Sequence, residues 1–224
     1  MSGDPSCPAT LISALHWVKA VFLNPASVGN ATADLLSLMV QKGVERGVLL
    51  SALTAQYGSG ERRFADQFKA HEDAVKSCGL RWTLLRCSDF VANTLAWASQ
   101  IRCTGVVRGA FGDAVGACAL LHSEHAGRSY VLTSRQSLSQ REKTHLIGEA
   151  IGEQLLWAEI SPERVRRDML AQGLPADVPD RMLGYLADHL QRPGPSSTTV
   201  ERILRRPALT FAQWAIDHAA AFRN

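Results

Sequence analysis

EDAVKSCGLRWTLLRC, residues 72–87, changes its period halfway, and that change decides the fold. The polar run from about Glu61 to Ser77 carries a helical stripe of Phe64, Phe68 and Val75, and Gly79 ends it. RWTLLR, from Arg81, then has the length and apolar character of a buried strand. Working back toward the N-terminus, GVLLSAL from Gly47 and AVFLN from Ala20 are two more runs of this kind, the second stopped by Asn24-Pro25. Between them, Ala31 to Gln41 places leucines and Met39 at helical spacing, with Gly43 just beyond, where a left-handed cap belongs. Strands alternating with helices in this way signal a parallel sheet with crossover helices on its faces. Working forward, SYVLTS from Ser129 reads as a fourth strand, Leu138-Ser139 opens a helix to about Ala150, and LLWAEIS from Leu155 reads as a fifth strand. After Ser161-Pro162, suited to a helix start, the chain turns helical, with breaks at Pro175, Pro179 and RPGPSS. The reading is α/β, doubly wound, with residues 1–152 as the core and 153–224 as a C-terminal strand and mostly helical cap.

Composition narrows the function classes. A chain of 224 residues with 46% hydrophobic and 20% charged residues can bury a sizeable core and is not of the disordered class. The formal charge of +3 is dispersed, so neither nucleic acid nor an anionic membrane is an expected partner. Arg164, Arg166, Arg167 and Arg202, Arg205, Arg206 lie in amphipathic helical segments and read as solvated faces. Cys7, Cys78, Cys87, Cys103 and Cys118 form no CxxC pair or metal-ligand spacing, which suits a reducing compartment, and no metal is expected. MSGDPSCPAT lacks the basic start and apolar run of a signal peptide, and no apolar stretch reaches membrane-span length, so a soluble, cytoplasmic protein is expected.

In order along the chain, GDPSCPATLISAL, AVFLNP, GVERGVLLSAL, EDAVKSCGLRWTLLRCSDFVAN, GRSYVLT, LSQREK, ISPERVRRDMLAQGLP and RRPALTFAQWAIDHAAAF resemble successive blocks of the NmrA-like, atypical short-chain dehydrogenases. The resemblance implies a Rossmann-like sheet. Members of that family begin with a strand and a GxxGxxG turn that holds a dinucleotide pyrophosphate, and this chain has no such turn. Met1 to Asp4 aligns with the end of the family's third strand, so the expected sheet is a truncated Rossmann-like one. Gly58 and Gly60 in QYGSGERR lack a third glycine and read as a flexible loop. GAFGDAVGACALL, from Gly109, compresses a longer family stretch that carries a strand and an acidic motif. Loss of the first strand would leave the strand at Ala20 as an apolar edge, for which a homodimer is the expected cover.

Ser51 ends its strand on the side where ligands sit in open α/β sheets. The resemblance gives such a serine a substrate carbonyl to bind; a serine that merely starts the loop is the other reading. In classical members the partner is a YxxxK acid-base pair on the following helix, and atypical members show a histidine four residues before the glutamate, where this chain has Phe68, with Lys69, His71 and Glu72 nearby and no tyrosine. His71 and Lys69 are the candidate replacements. Asn24, Arg86, Ser88, Asp89 and Asn93 fall at strand ends or just beyond, and with Tyr57, Phe90 and Trp97 they outline a substrate cleft. Cys87 reads as structural, and Asp217-His218 as part of a packed helix. His122, Glu124 and His125 form only a weak metal signature.

The missing glycine turn leads to the first expectation: a small-molecule enzyme or binding protein acting on an apolar carbonyl compound without hydride transfer, isomerase- or cyclase-like, and without a cofactor. The first alternative is an NAD(P)H-dependent oxidoreductase of the quinone or imine reductase type, with NADP or NAD bound by a nucleotide half absent here or supplied in trans. The second is a catalytically silent regulator that binds a protein partner.

Overall fold

A computed structural model describes residues 3–57, 62–119 and 127–223. In chain order the elements are β1 (Ala20–Leu23), α1 (Pro25–Val28), α2 (Thr32–Gln41), β2 (Arg46–Ala52), α3 (Thr54–Tyr57), α4 (Arg62–Ser77) and β3 (Arg81–Cys87). β4 (Asp89–Phe90), α5 (Ala98–Thr104), β5 (Val106–Gly109), β6 (Val115–Ala119), β7 (Arg128–Leu132), β8 (Ser137–Ser139), α6 (Gln140–Ile151) and β9 (Leu156–Glu159) follow. The helices α7 (Pro162–Ala171), α8 (Asp177–Gln191), α9 (Thr199–Leu204) and α10 (Phe211–Asp217) complete the chain. They fall into two compact units, one built from the described parts of Met1–Gly58, Arg63–Cys87 and Leu121–Leu132, the other from the rest.

The first unit is a four-stranded parallel sheet in the order β1-β2-β3-β7. Its two inner strands are the runs read above as buried, and each is hydrogen-bonded on both edges, as apolar β-rich segments in a parallel sheet must be. Leu23, Leu35, Leu36, Met39, Leu49, Val75 and Leu84 pack into one cluster against the sheet. Each buried side chain of this size contributes about 2 kcal/mol from removal of its surface from water. Gly43 and Gly79 adopt φ of 77° and 90° just past α2 and α4, the left-handed conformation that ends a helix at no steric cost to glycine. β1 is the sheet's edge, and its Phe22 is 53% exposed.

The second unit contains the strands β4-β6-β8 and, separately, the pair β5-β9. LLWAEIS therefore contributes β9 to a two-stranded ladder with β5 and not to the main sheet, its register running from Val106 opposite Leu156 to Gly109 opposite Glu159. The segment read as compressed still holds a strand, β6, antiparallel to β8 and parallel to β4. Short strands of this kind escape sequence reading because each carries too few residues to show a period. Ser139 caps α6 through a reciprocal pair: Glu142 N donates to Ser139 Oγ at 3.1 Å, and Ser139 N donates to Glu142 Oε2 at 2.7 Å. Ser161 caps α7 with a single bond, its Oγ accepting from Arg164 N at 3.2 Å, with Pro162 in the first turn. Ile147 and Ile151 of α6 pack with Phe211, Trp214 and Phe222 in this unit's core.

Candidate functional site

The register of the main sheet sets Ser51 directly beside Arg86 at the C-terminal ends of β2 and β3. α4 crosses that end and lowers Glu72 onto them. Ser51 Oγ donates to Glu72 Oε1 at 2.7 Å, Arg86 donates Nε to Oε1 at 2.8 Å and Nη2 to Oε2 at 2.6 Å, and Lys76 Nζ reaches Oε2 at 3.3 Å. Arg86 Nη1 also donates to Gln56 Oε1 at 3.0 Å. The Glu72 side chain is 1% exposed, so its ionised form survives only because donors surround it. Burial pushes its pKa up, but the hydrogen bonds from Arg86 and Ser51, the Arg86 charge and Lys76 push harder, and the carboxyl sits below the usual range.

This geometry commits the only hydroxyl proton of Ser51 to Glu72 and leaves the oxygen with accepting capacity alone. Glu72 is the residue that sequence reasoning passed over. The signal was present, because Ala65, Phe68, Glu72 and Val75 share one helical stripe, and a carboxylate on a buried stripe needs a cation, here Arg86.

His71, next to Glu72 in sequence, faces a different neighbour. Thr32 Oγ1 is within 3.1 Å of the Gly29 carbonyl, to which it donates, and shares a hydrogen bond of 2.9 Å with His71 Nδ1. Burial lowers the His71 pKa, which favours the neutral imidazole. The ring lines a narrow apolar crevice with Leu23, Pro25, Val28, Leu35 and Leu49. Lys69 is exposed on α4. Asn24 accepts from Ala26 N at 3.1 Å and so caps α1. Tyr57 ends α3. Burial pushes the Cys87 thiol up to about 12, which keeps it protonated.

The other expected residues belong to the second unit. Ser88 links β3 to β4 and is half-buried, as are Asp89 and Phe90. Asn93, exposed in the 3-10 turn Val91–Trp97, donates Nδ2 to Asp89 Oδ1 at 2.6 Å. Asp89 Oδ2 in turn takes Lys143 Nζ at 3.3 Å. Trp97 packs edge-on against Trp157 with centroids 5.8 Å apart. His218 stacks on Trp214 at 4.4 Å, consistent with packing. Gly58, Gly60, His122, Glu124 and His125 lie outside the described residues, among which no cluster of metal-ligating side chains occurs and no helix is long and apolar enough to cross a membrane.

A dinucleotide needs a glycine turn between a strand and a helix for its pyrophosphate. Among the described residues, the glycines at positive φ include Gly29, Gly43, Gly79, Gly105, Gly152 and Gly173, which follow helices, and Gly127, which precedes β7. These residues do not fit the pyrophosphate.

No protein-family model matches the chain. Over an alignment of 232 positions that covers 96% of its length and 80% of the other's, it is 31% identical to the (4-alkanoyl-5-oxo-2,5-dihydrofuran-3-yl)methyl phosphate reductase of Streptomyces griseus. To the NAD(P)H azoreductase of Xenophilus azovorans it is 28% identical over an alignment of 244 positions, covering 99% of this chain and 82% of that one. Among solved structures, the NADPH-dependent quinone oxidoreductase of Escherichia coli in complex with NADPH superposes with a TM-score of 0.78 at 22% identity, covering 96% of this chain and 81% of that one. The triphenylmethane reductase of Citrobacter sp. complexed with NADP(H) gives 0.73 at 15% identity, covering 97% and 82%. At these identities the structural likeness speaks for the fold.

The expectation of a hydride-free isomerase or cyclase is overturned by these two relatives, both named as reductases and matched over 96% and 99% of this chain. It rested on the missing glycine turn. That turn governs where a pyrophosphate is held, not what the rest of the fold does to a substrate. The companion expectation of no cofactor loses the same footing, since the Xenophilus azovorans relative is named for NAD(P)H.

Proposed function

The chain belongs to the NmrA-like, atypical short-chain dehydrogenase family, and from that premise we propose that it serves as an NAD(P)H-dependent reductase of electron-poor, conjugated substrates. The observation that carries this reading is the match to a reductase over 96% of the chain. The nicotinamide nucleotide would supply the hydride. Its pyrophosphate would be held by polypeptide outside the described residues, either in the same protein or in trans, because the glycines described here sit at helix ends.

The substrate class follows from what α4 offers. α4 carries no tyrosine acid, the Glu72 carboxylate is ionised and walled in, and Ser51 accepts rather than donates. Negative charge arriving on the substrate then has to be spread by the substrate itself. Quinones, azo compounds and unsaturated carbonyl compounds do this by conjugation, whereas an isolated ketone needs an acid in place. The named activities of the Streptomyces griseus and Xenophilus azovorans relatives point the same way.

The outer edge of β1 would take a strand of that nucleotide-holding polypeptide. A second copy of the chain, pairing edge to edge, is the competing occupant, favoured by the same exposed Phe22. The test of function is NADPH oxidation with 4-hydroxyazobenzene, measured for the chain alone and for the chain fused to the part of the Streptomyces griseus relative that lies outside the match. Stoichiometric bleaching of the dye by either protein is expected. Failure of both to oxidise NADPH would overturn the reading.

A further inference from the structure

α6 buries Gln140, Lys143, Thr144, Ile147 and Ile151 on one face, and the Lys143 side chain is only 1% exposed. An ammonium so placed is costly unless its charge is matched. Asp89 matches it, with Oδ2 at 3.3 Å from Nζ, and spends its other oxygen on Asn93, whose Nδ2 donates to Oδ1 at 2.6 Å. A carboxylate can only accept, so this bond forces the NH2 of the Asn93 amide inward and turns its carbonyl oxygen away from Asp89. Asn93 itself is exposed, three residues beyond the C-terminal end of β4, the side of parallel strands on which ligands bind. The turn that carries it does not need this arrangement to close, because Thr94 Oγ1 already donates to the Val91 carbonyl at 2.7 Å. A charge pair whose ammonium is buried thus removes the rotational freedom of one surface amide, which is preorganisation of an acceptor.

We propose that Lys143 and Asp89 are positioning residues that hold Asn93 as the acceptor for an O–H or N–H donor on the substrate, so that donor-bearing substrates are preferred over the same framework with the donor methylated. The reductase reading supplies the substrate class for this inference; the geometry stands without it. Neither Lys143 nor Asp89 touches substrate in this scheme.

The test compares 4-hydroxyazobenzene with 4-methoxyazobenzene, which share their rings and azo bond and differ in the donor. Binding to the full chain is read by quenching of tryptophan fluorescence, with no nucleotide present. The hydroxyl dye is expected to bind about tenfold more tightly, the upper range for one neutral hydrogen bond. Asn93→Ala, a surface change, should bring the hydroxyl dye down to the affinity of the methoxy dye. Lys143→Met combined with Asp89→Asn removes both charges at similar volume, and an amide at position 89 can meet Asn93 with either end, so the preference should fall there too while thermal melting confirms the fold. Equal binding of the two dyes to the unmodified chain, or a preference that survives Asn93→Ala, would overturn the inference. Dye bleaching with NADPH is scored separately: bleaching without a binding preference sinks this inference and keeps the reductase reading, and a preference without bleaching does the reverse.

Discussion

Arg86 grips Glu72 with two bonds on one carboxylate, Nε to Oε1 at 2.8 Å and Nη2 to Oε2 at 2.6 Å, and ties the end of β3 to the middle of α4. The pair is asymmetric in exposure, 17% for the Arg86 side chain and 1% for Glu72, so the carboxylate depends on the guanidinium more than the reverse. Ser51 and Lys76 supply donors to the same group without replacing the planar fork.

Arg86→Met should therefore destabilise the protein by about 3–5 kcal/mol, the cost of leaving a buried charge without its main partner. Arg86→Met with Glu72→Leu should recover most of that loss, because an apolar pair of similar volume has no charge to desolvate. Urea unfolding followed by circular dichroism measures both. A double variant no more stable than the single one would show that the ion pair is a net contributor.

Acid should weaken the fold in two steps, each with the sign set by a depressed native pKa. His71 and His189 are both pushed below the usual histidine value, chiefly by burial, so stability present above about pH 6.5 is lost as pH falls through that value toward the native ones. Glu72, held low by Arg86 and Ser51 against the upward push of burial, contributes stability above about pH 4.5 that is lost on further acidification. Thermal melting across pH 3.5 to 8 should show both limbs. Glu72→Gln should flatten the lower limb and leave the upper one in place.

Iodoacetamide at about pH 8 should modify the exposed Cys7 and Cys103 and spare Cys87, whose thiol is buried and lifted to about 12. Mass spectrometry before and after addition of denaturant distinguishes the sites. Rapid labelling of Cys87 in the folded protein would mean that the end of β3 opens readily.

Gly148→Ala sets helix propensity against packing inside α6. Alanine is favoured by about 1 kcal/mol in a helix interior, but its Cβ here would lie 2.6 Å from the Glu153 carbonyl oxygen and 3.3 Å from Leu155 Cγ. Backbone cannot yield as a flexible side chain does, and such overpacking costs about 1–3 kcal/mol. A net loss of melting temperature is expected, where an exposed helical glycine would gain.

The outer edge of β1 gives a prediction about assembly. If a second copy covers it, light scattering should report a dimer that Val21→Lys weakens without unfolding the rest of the sheet. If polypeptide outside these residues covers it, the fusion described above should be monomeric. Rapid amide exchange at Ala20 to Leu23 in a stable monomer would show that the edge is tolerated bare.

The alternation of buried strands with capped helices was legible from residues 20–87 alone, because periodicity and glycine caps are local properties of the chain. The N-caps at Ser139 and Ser161 were legible for the same reason, each being decided within a single turn. The sequence also contained, unread, the two charges on buried stripes, Glu72 on α4 and Lys143 on α6. What they pair with was not readable: Arg86 meets Glu72 only because β2 and β3 align Ser51 with Arg86 under α4, and Asp89 meets Lys143 across a long stretch of chain. Strand register and helix placement are non-local, set by packing the whole unit at once, so the residues that a candidate site brings together were decided by the tertiary structure, while the elements that carry them were decided by the sequence.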